Sequence, residues 1–362
     1  VRLTLVIYSL VAGGAERVMA TMANHWAGKG WTIHLLTLDS KAPFYALDPR
    51  VQHRALGLAG VSKNPVQGVL NNFGRARKLR RAILETTPDA VISLMSETNV
   101  LTLLAMAGSN TPVLVQEQID PHEQPIQLHW KLLRRWTYPL AARVVALNDR
   151  SLRYFPSRVR KRGRIIPNPA VVSGPPRPPL SCNGGPKKMM AMGRLDPQKG
   201  FDMLLRAFAG AADAYPEWSL EILGEGPLRA ELEALVEELG LTGRASLPGT
   251  TKDPFEKLRK ADLFAMSSRY EGFPLSLCEA MGCGLPAISF DCPTGPGEII
   301  RHGVDGLLVP AGDVDAFGAA MELLMGDAAR REGMAAKAPE VLTRFSLKRV
   351  MGLWEAAVAE TR

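Results

Sequence analysis

The sequence predicts an α/β protein made of two doubly wound parallel-sheet domains. Three observations predict it. The chain has 362 residues, too many for one core at about 150 residues per domain. Short apolar runs alternate with stretches of helical periodicity through both halves, the pattern of strands joined by crossover helices. A stretch rich in proline and glycine separates the halves.

In the first half, residues 1–168, Leu3 to Ile7 reads as a buried strand. The glycine turn Gly13-Gly14 leads into a helix whose apolar positions are Val18, Met22 and Trp26. Gly28 and Gly30 end that helix, and Trp31 to Thr37 is the next strand. The alternation continues: Asn72 to Thr86 helix, Ala90 to Ser93 strand, Val100 to Met106 helix, Val113 to Glu117 strand, Leu128 to Leu140 helix, Arg143 to Ala146 strand. Ligands of such sheets bind beyond the carboxyl ends of the strands. Gly13-Gly14 lacks the G-x-G-x-x-G spacing of a dinucleotide site, and a tight strand-to-helix turn accounts for it equally well.

Residues 169–186 hold Pro169, Pro175, Pro176, Pro178, Pro179 and Pro186 with Gly174, Gly184 and Gly185, and read as a linker. The second domain, 187–345, repeats the alternation. Lys188 to Met192, Ser219 to Leu223, Ala245 to Leu247, Asp262 to Met266, Ala287 to Phe290 and Leu307 to Val309 are its strands. Phe201 to Ala212 and Pro227 to Leu239 are helices, the second with Pro227 at its start and Gly240 past its end. Two such domains on one linker imply a central cleft that both face. A last helix, Leu347 to Glu360, occupies 346–362.

Composition excludes several classes. Hydrophobic content of 46% with 22% charge is that of a soluble globular protein, and no apolar run reaches the roughly eighteen residues of a membrane span. The chain opens directly on an apolar strand, with no signal segment expected before it. Cys182, Cys278, Cys283 and Cys292 form no C-x-x-C pair and are read as reduced thiols of a cytoplasmic protein. The net charge of +8 is uneven: residues 1–168 hold 23 Lys and Arg against 10 Asp and Glu, a balance of +13, and the remainder carries −5. Much of the excess lies in Arg75, Arg77, Lys78, Arg80 and Arg81, and in Arg153, Arg158, Arg160, Lys161, Arg162 and Arg164. A solvated, solubilising face is one reading. Attraction to anionic lipid or a phosphorylated acceptor, peripheral on the inner face of the cytoplasmic membrane, is the other. The clusters lack interleaved aromatics, so nucleic acid is not an expected partner.

The chemistry is concentrated in Ser268-Arg-Tyr-Glu271-Gly-Phe-Pro274-Leu-Ser-Leu-Cys-Glu279-Ala-Met-Gly-Cys-Gly284, where two carboxylates stand eight residues apart. Gly272 and Pro274 break regular structure after Glu271. Leu275 to Met281 then reads as a short helix whose unpaired amides point back at Glu271, a seat for phosphate. An acid on either side of that phosphate to hold hydroxyls describes a nucleotide sugar. Gly193-Arg194-Leu-Asp-Pro-Gln-Lys199-Gly200 follows the first strand of its domain, where a phosphate-facing loop belongs, with Arg194 as a bidentate partner and Lys199 as a point charge. The triplet Asp313-Val-Asp315 invites a metal but sits where a helix begins, so capping is its reading and no metal ligand is assigned.

The Glu271–Glu279 stretch resembles the acid-x7-acid motif of retaining glycosyltransferases of the two-domain GT-B fold, in the large family 4 (glycosyl transferases group 1). The Arg194 loop resembles that family's Gly-Arg-Leu-x-x-x-Lys-Gly. The Gly224-Glu225-Gly226-Pro227 turn is spaced as in the family, and Gly13-Gly-Ala-Glu-Arg-Val is similar to its first-domain glycine loop. The resemblance covers essentially the whole chain and implies the following roles. Arg194, Lys199 and Glu271 are catalytic, Glu271 holding the transferred sugar. Gly193, Gly224, Gly272, Phe273, Pro274, Leu275 and Ser276 line the donor, Glu279 holds the ribose, and Pro248 and Gly249 frame the base. Gly13 and Gly14 lie against donor phosphate and acceptor, and Glu16 is either a first-turn helix charge or an acceptor contact. Where many members place a histidine that touches the sugar, this chain has Glu117, with His122 five residues later; either is a candidate for that contact. The last helix would cross back to the first domain.

The resemblance thus implies a metal-independent retaining transferase with a nucleotide sugar as co-substrate and no other cofactor. Asp291-Cys-Pro-Thr-Gly-Pro-Gly-Glu298-Ile-Ile is similar to a version found in bacterial surface-glycan enzymes, which points to a UDP-hexose or UDP-N-acetylhexosamine and a glycan or lipid-linked acceptor. A UDP-sugar epimerase on the same fold, or an inactive peripheral membrane scaffold, are the alternatives.

Overall fold

The computed structural model describes residues 1–58, 65–124, 126–174, 185–251 and 253–361, with the side chains of 65–72 outside that description. Cys182 and most of the proline-rich stretch, Pro175, Pro176, Pro178, Pro179 and Gly184, lie outside the described residues. The chain divides into two compact units, Val1–Pro169 with Lys348–Arg362, and Ala170–Leu347.

The first unit runs β1 (Arg2–Ile7), α1 (Gly14–Gly28), β2 (Thr32–Thr37), β3 (Gln52–Ala55), α2 (Pro65–Glu85), β4 (Ala90–Leu94), α3 (Ser96–Met106), β5 (Val113–Gln116), α4 (Leu128–Thr137), β6 (Arg143–Ala146), α5 (Asp149–Arg153), α6 (Ser157–Arg160) and β7 (Gly163–Ile165). Its strands form one parallel sheet in the order β3-β2-β1-β4-β5-β6-β7. The second unit runs β8 (Lys187–Met192), α7 (Phe201–Ala212), β9 (Trp218–Leu223), α8 (Arg229–Glu238), β10 (Ala245–Gly249), α9 (Pro254–Arg259), β11 (Leu263–Met266), α10 (Leu275–Gly282), β12 (Ala287–Asp291), α11 (Pro296–Ile299), β13 (Gly306–Pro310), α12 (Val314–Gly326), α13 (Ala328–Lys337) and α14 (Val341–Arg344). Its sheet is also parallel, in the order β10-β9-β8-β11-β12-β13. In each sheet the order reverses beside the first strand, between β1 and β4 and between β8 and β11. The loops leaving those strands diverge there and open a crevice.

The cores follow the periodicity. In α7, Phe201, Leu204, Leu205, Phe208, Ala211 and Ala212 recur at helical spacing and are buried against Ile222, Leu263 and Ile288 of the sheet. Phe317 of α12 packs on Phe290 with ring centroids 4.8 Å apart. In the first unit, Val6, Val91, Val115 and Val144 of neighbouring strands share a core with Leu79 and Ile83 of α2.

Departures from the expected elements have local causes. The helix expected from Pro227 starts at Arg229. Leu228 is still held outside it, because its amide donates to the Leu195 carbonyl at 3.0 Å. The helices expected from Asn72 and Val100 begin earlier, at Pro65 and Ser96. Strands β3 and β7 are short, partly polar edge strands, QHRA and GRI, that carry no apolar alternation to announce them. Asp313 accepts the amide of Ala316 at 2.9 Å, capping α12, and Asp253 and Asp327 cap α9 and α13 the same way.

The closing helix α15 (Leu347–Ala359) belongs to the first unit, where Trp354 is fully buried. Its Glu355 accepts from Lys29 at 2.7 Å, and Glu360 just beyond it pairs with both Arg143 and Arg164. Trp354→Ala is therefore expected to cost the first unit about 3–5 kcal/mol, read as a lower urea midpoint, through lost burial and the cavity left behind. An unchanged midpoint would show that α15 is not integral to this unit.

Candidate functional site

The loops on either side of the second unit's crevice are tied to one another. After β8, Gly193 to Gly200 turns into α7; after β11, Ser267 to Pro274 turns into α10. Ser267 Oγ donates to the Lys199 carbonyl at 2.9 Å, Gln198 Nε2 donates to the Tyr270 carbonyl at 3.0 Å, and the Arg269 amide donates to the Gln198 carbonyl at 2.8 Å. The Arg269 guanidinium adds a bond to the Pro197 carbonyl and a two-pronged pair with Asp202 at 2.9 and 2.7 Å. Gly200 is left-handed, φ +62°, and a Cβ there would lie 2.2 Å from the Ser267 carbonyl oxygen, so only glycine lets the loops approach this closely.

At the centre of this seam Lys199 Nζ donates to Glu271 Oε1 at 2.6 Å, with the two side chains 18% and 7% exposed. Ser268 Oγ donates to the same oxygen at 2.6 Å, and Thr294 Oγ1 donates to the Glu271 carbonyl. Two donors thus fix the carboxylate, one of them from the loop after β8, and a third fixes the main chain of the same residue. Arg194 pairs with Asp196 at 2.6 Å, while its side chain stays 73% exposed. Each cation read from the sequence as phosphate-facing therefore rests on a carboxylate in this structure, which holds it at the crevice.

Helix α10 starts immediately beyond Glu271. Pro274 is its extended N-cap and makes no side-chain cap, so the first-turn amides have no acceptor within the helix. Gly272, Phe273 and Pro274 are buried, Leu275 and Ser276 half-buried, and Phe273 packs edge-on to Phe345 at 5.0 Å. Glu279, one turn on, is 3% exposed. The third wall comes from β9 and β10. Gly224 donates to the Gly249 carbonyl at 2.9 Å and faces Gly193 so closely that a Cβ would lie 1.8 Å from the Gly193 oxygen. Pro248, beside it, is exposed. Gly193, Arg194, Lys199, Gly224, Pro248, Gly249, Glu271 and the start of α10 are thus brought to one edge of one sheet.

Beside that edge Glu298 lies in α11. Partial burial of the carboxyl pushes it up to about 7, although the residue as a whole is exposed, and a backbone bond from Gly295 partly offsets this. Arg269, Ser268, Thr294 and Glu298 escape a reading of the motif because their roles depend on loops that meet only in the fold.

In the first unit the glycine loop after β1 is clamped by Tyr45, whose hydroxyl accepts the Gly13 amide at 3.1 Å and donates to the Gly13 carbonyl at 3.0 Å. Glu16 folds back over Gly13, where a Cβ would meet its carboxylate at 2.2 Å, and Gly14 opens α1. Across the crevice Met95 holds φ +77°, a conformation that side-chain-bearing residues rarely adopt, between β4 and α3.

Glu117 and His122 part company. Glu117 is 2% exposed, and both its oxygens are taken: Ser96 Oγ donates at 2.5 Å, the Tyr138 hydroxyl donates to the other oxygen, and Arg134 lies at 3.5 Å. Burial and then the Glu117 charge push the Tyr138 hydroxyl well above its ordinary value, which keeps it a donor. The sequence offers either Glu117 or His122 for the sugar contact; in the structure Glu117 is buried and already bonded, because a buried carboxylate must find partners and finds them within the unit. His122 stays at the surface, its Nδ1 2.9 Å from the fully buried Asp120, which also pairs with Arg150.

Residues 13–169 match a family described as glycosyl transferase 4-like domain, and residues 177–341 one described as glycosyl transferases group 1. The chain is 30% identical over 377 residues to an exopolysaccharide phosphotransferase of Streptomyces coelicolor, covering 96% of this chain but only 39% of that protein's length. It is 27% identical over 365 residues to the GalNAc-alpha-(1->4)-GalNAc-alpha-(1->3)-diNAcBac-PP-undecaprenol alpha-1,4-N-acetyl-D-galactosaminyltransferase of Campylobacter jejuni, covering 100% of this chain and 99% of that one. Anabaena HepE, solved in complex with UDP and glucose, superposes with a TM-score of 0.79 at 17% identity over 99% of both chains. That likeness shows the fold, α/β of the GT-B type.

Two outcomes test this geometry. A double-mutant cycle of Lys199→Met and Glu271→Gln, followed by denaturant unfolding, is expected to give a coupling of about 1–3 kcal/mol; a value near zero would dissolve the central pair. The raised Glu298 carboxyl disfavours folding increasingly as pH rises from its ordinary value near 4.5 to about 7, because the unfolded chain ionises first. Glu298→Gln should accordingly melt higher than the parent at pH 8 and lose that advantage at pH 4, and a pH-independent difference contradicts the assignment.

Proposed function

This chain belongs to the GT-B glycosyltransferases, and we propose that it moves a hexose or N-acetylhexosamine, with retention, from a UDP-sugar to a glycan or lipid-linked acceptor. The setting is the assembly of a bacterial surface polysaccharide, lipopolysaccharide or glycolipid. The observation that carries the reading is the seam at the second unit's crevice, where a buried carboxylate held by two donors, two cations and the open amides of α10 share one sheet edge. The relative that acts on an undecaprenol-linked glycan, similar over its full length, supports the acceptor class. The neighbour solved with UDP and glucose supports the donor class.

In this reading Arg194, Lys199 and the first amides of α10 bind the diphosphate. Glu279 takes the ribose hydroxyls, Pro248 and Gly249 frame the base, and Glu271 holds hydroxyls of the transferred sugar. The bond between the anomeric carbon and the diphosphate oxygen breaks, and the electron pair leaves with the nucleotide. Fixed cations and helix amides aimed at that oxygen lower the barrier because they need no rearrangement as charge develops. The acceptor hydroxyl bonds to the same face of the sugar and gives its proton to the departing phosphate. These charges suffice without a metal ion. In the first unit, Gly13 and Gly14 offer a close backbone approach to the acceptor, with Glu16 and His122 as further contacts.

Glu271→Ala and Arg194→Ala, each shown to be folded, are expected to lower UDP-sugar turnover by about 10²–10³-fold. Turnover within a few-fold of the parent would refute the assigned roles. Formation of a second UDP-sugar without acceptor would make the protein an epimerase instead, and the absence of calorimetric binding to any UDP-sugar would leave a non-catalytic scaffold. A UDP-sugar at a hundred times its dissociation constant stabilises the folded chain by about 2.7 kcal/mol, so a melting screen against GDP-sugars identifies the nucleotide.

A further inference from the structure

Helix α4 has one face that the fold uses and one that it does not. On the first, Trp130 and Leu133 are half-buried and Arg134 and Thr137 buried; the Arg134 guanidinium stands 4.8 Å over the Tyr154 ring and beside Glu117. On the second, Leu128, Leu132 and Trp136 recur every fourth residue and so share one stripe. They are 71%, 51% and 72% exposed, and Leu140 just past the helix end is exposed as well. No described residue covers them. A continuous stripe of two leucines and a tryptophan facing solvent marks a contact surface.

The charge around the stripe identifies the partner. Lys131 and Arg135 sit on the same exposed side and have no ion-pair partner among the described residues. Arg158 Nη2 reaches the Arg135 carbonyl and Arg162 Nη1 those of Pro139 and Ala141 at 2.7 and 3.0 Å, which sets the basic run of α6, with Arg160 and Lys161, beside the end of α4. Of the acids near α4, Asp149 is occupied by Arg153, Asp120 and Glu123 by Arg150 and Glu117 by burial, which leaves the exposed Glu97 of α3, close enough to His129 to feel its charge. Helix α4 itself carries no acid. The two basic clusters read from sequence therefore differ in how much of their charge is spent. Arg80, Arg81 and Arg164 are spent on carbonyls or acids of the fold; Arg77 and Lys78 of α2 are exposed without an ion pair among the described residues, and so, beside the stripe, are Lys131, Arg135, Arg160 and Lys161.

We propose that α4 lies in the headgroup layer of an anionic bilayer. Leu128, Leu132 and Trp136 enter the acyl boundary, and Lys131, Arg135, Arg160 and Lys161 sit at the level of the lipid phosphates. Apolar anchors rimmed by cations, with a tryptophan at the boundary, match the chemistry of that layer; a protein partner would leave the cations without counter-charge. Arg134 in the last turn of α4 and Tyr138 just beyond it meet Glu117 immediately past β5, so this pose holds the carboxyl edge of the first sheet near the headgroups. The inference goes beyond the transferase reading and is independent of it.

The test is sedimentation of the full chain with vesicles of phosphatidylcholine alone and of phosphatidylcholine mixed with phosphatidylglycerol. The chain is expected to bind the anionic vesicles, less so as salt is raised. Leu128→Ser/Leu132→Ser/Trp136→Ser should lose about tenfold or more of that binding, and Lys131→Gln/Arg135→Gln about fivefold per cation removed while flattening the salt dependence. Should the triple variant misfold, brominated lipid quenching of the parent's tryptophan emission, abolished by Trp136→Phe, answers the same question. Equal binding by parent and triple variant, or no quenching of Trp136, overturns the proposal. So does a parent dimer that the triple variant dissolves, which would assign the stripe to a second copy. Vesicle binding without sugar transfer sinks only the transferase reading; transfer without vesicle binding sinks only this one.

Discussion

The contact between Lys199 and Glu271 is the constraint on which the second unit's site depends. It joins a loop leaving β8 to a loop leaving β11, strands that are neighbours in the sheet though more than seventy residues apart in the chain. The pair lies mostly out of water, where an unpaired carboxylate or ammonium is costly. Each partner therefore holds the other at a set place. The Arg269–Asp202 pair and the Gln198 and Ser267 bonds repeat this stitch at the rim, which leaves little freedom in the loops that would meet a ligand.

Parallel-sheet topology explains why the site forms at this edge. Strand order reverses between β8 and β11, so their loops part and leave space that no crossover helix fills. Close approach across the space then requires residues without a Cβ. Gly224 against Gly193, and Gly200 against Ser267, have backbone where a side chain would have to stand. The acidic and basic residues would not converge without those glycines, which makes the glycines as much part of the machinery as the charges.

The first unit solves a different problem. Its buried Glu117 is neutralised by Arg134 and hydrogen-bonded by Ser96 and Tyr138, tying α3, α4 and the end of β5 into one polar knot. That knot fixes the rotation of α4 and thereby decides which of its residues face outward. Leu128, Leu132 and Trp136 are exposed because Arg134 and Thr137 are committed inward.

The sequence by itself determined the doubly wound α/β class with two sheets, the places along the chain of most of their strands, and the motif residues of the second unit. Those depend on local signals: apolar runs bounded by glycine and proline, a strand leading into a charged glycine loop, two acids around a helix start. It also determined that Asp313 caps a helix, since capping involves only four consecutive residues. The edge strands β3 and β7 were not legible, because a short strand paired on one side needs no apolar pattern. Tertiary structure alone decided that Glu117 closes on Arg134 and Tyr138, that Arg269 and Thr294 hold the Glu271 loop, and that one face of α4 stays bare. Each depends on groups far apart in the chain meeting in a low-dielectric place. A leucine at helical spacing reads as core until the neighbouring elements show which side of the helix they cover.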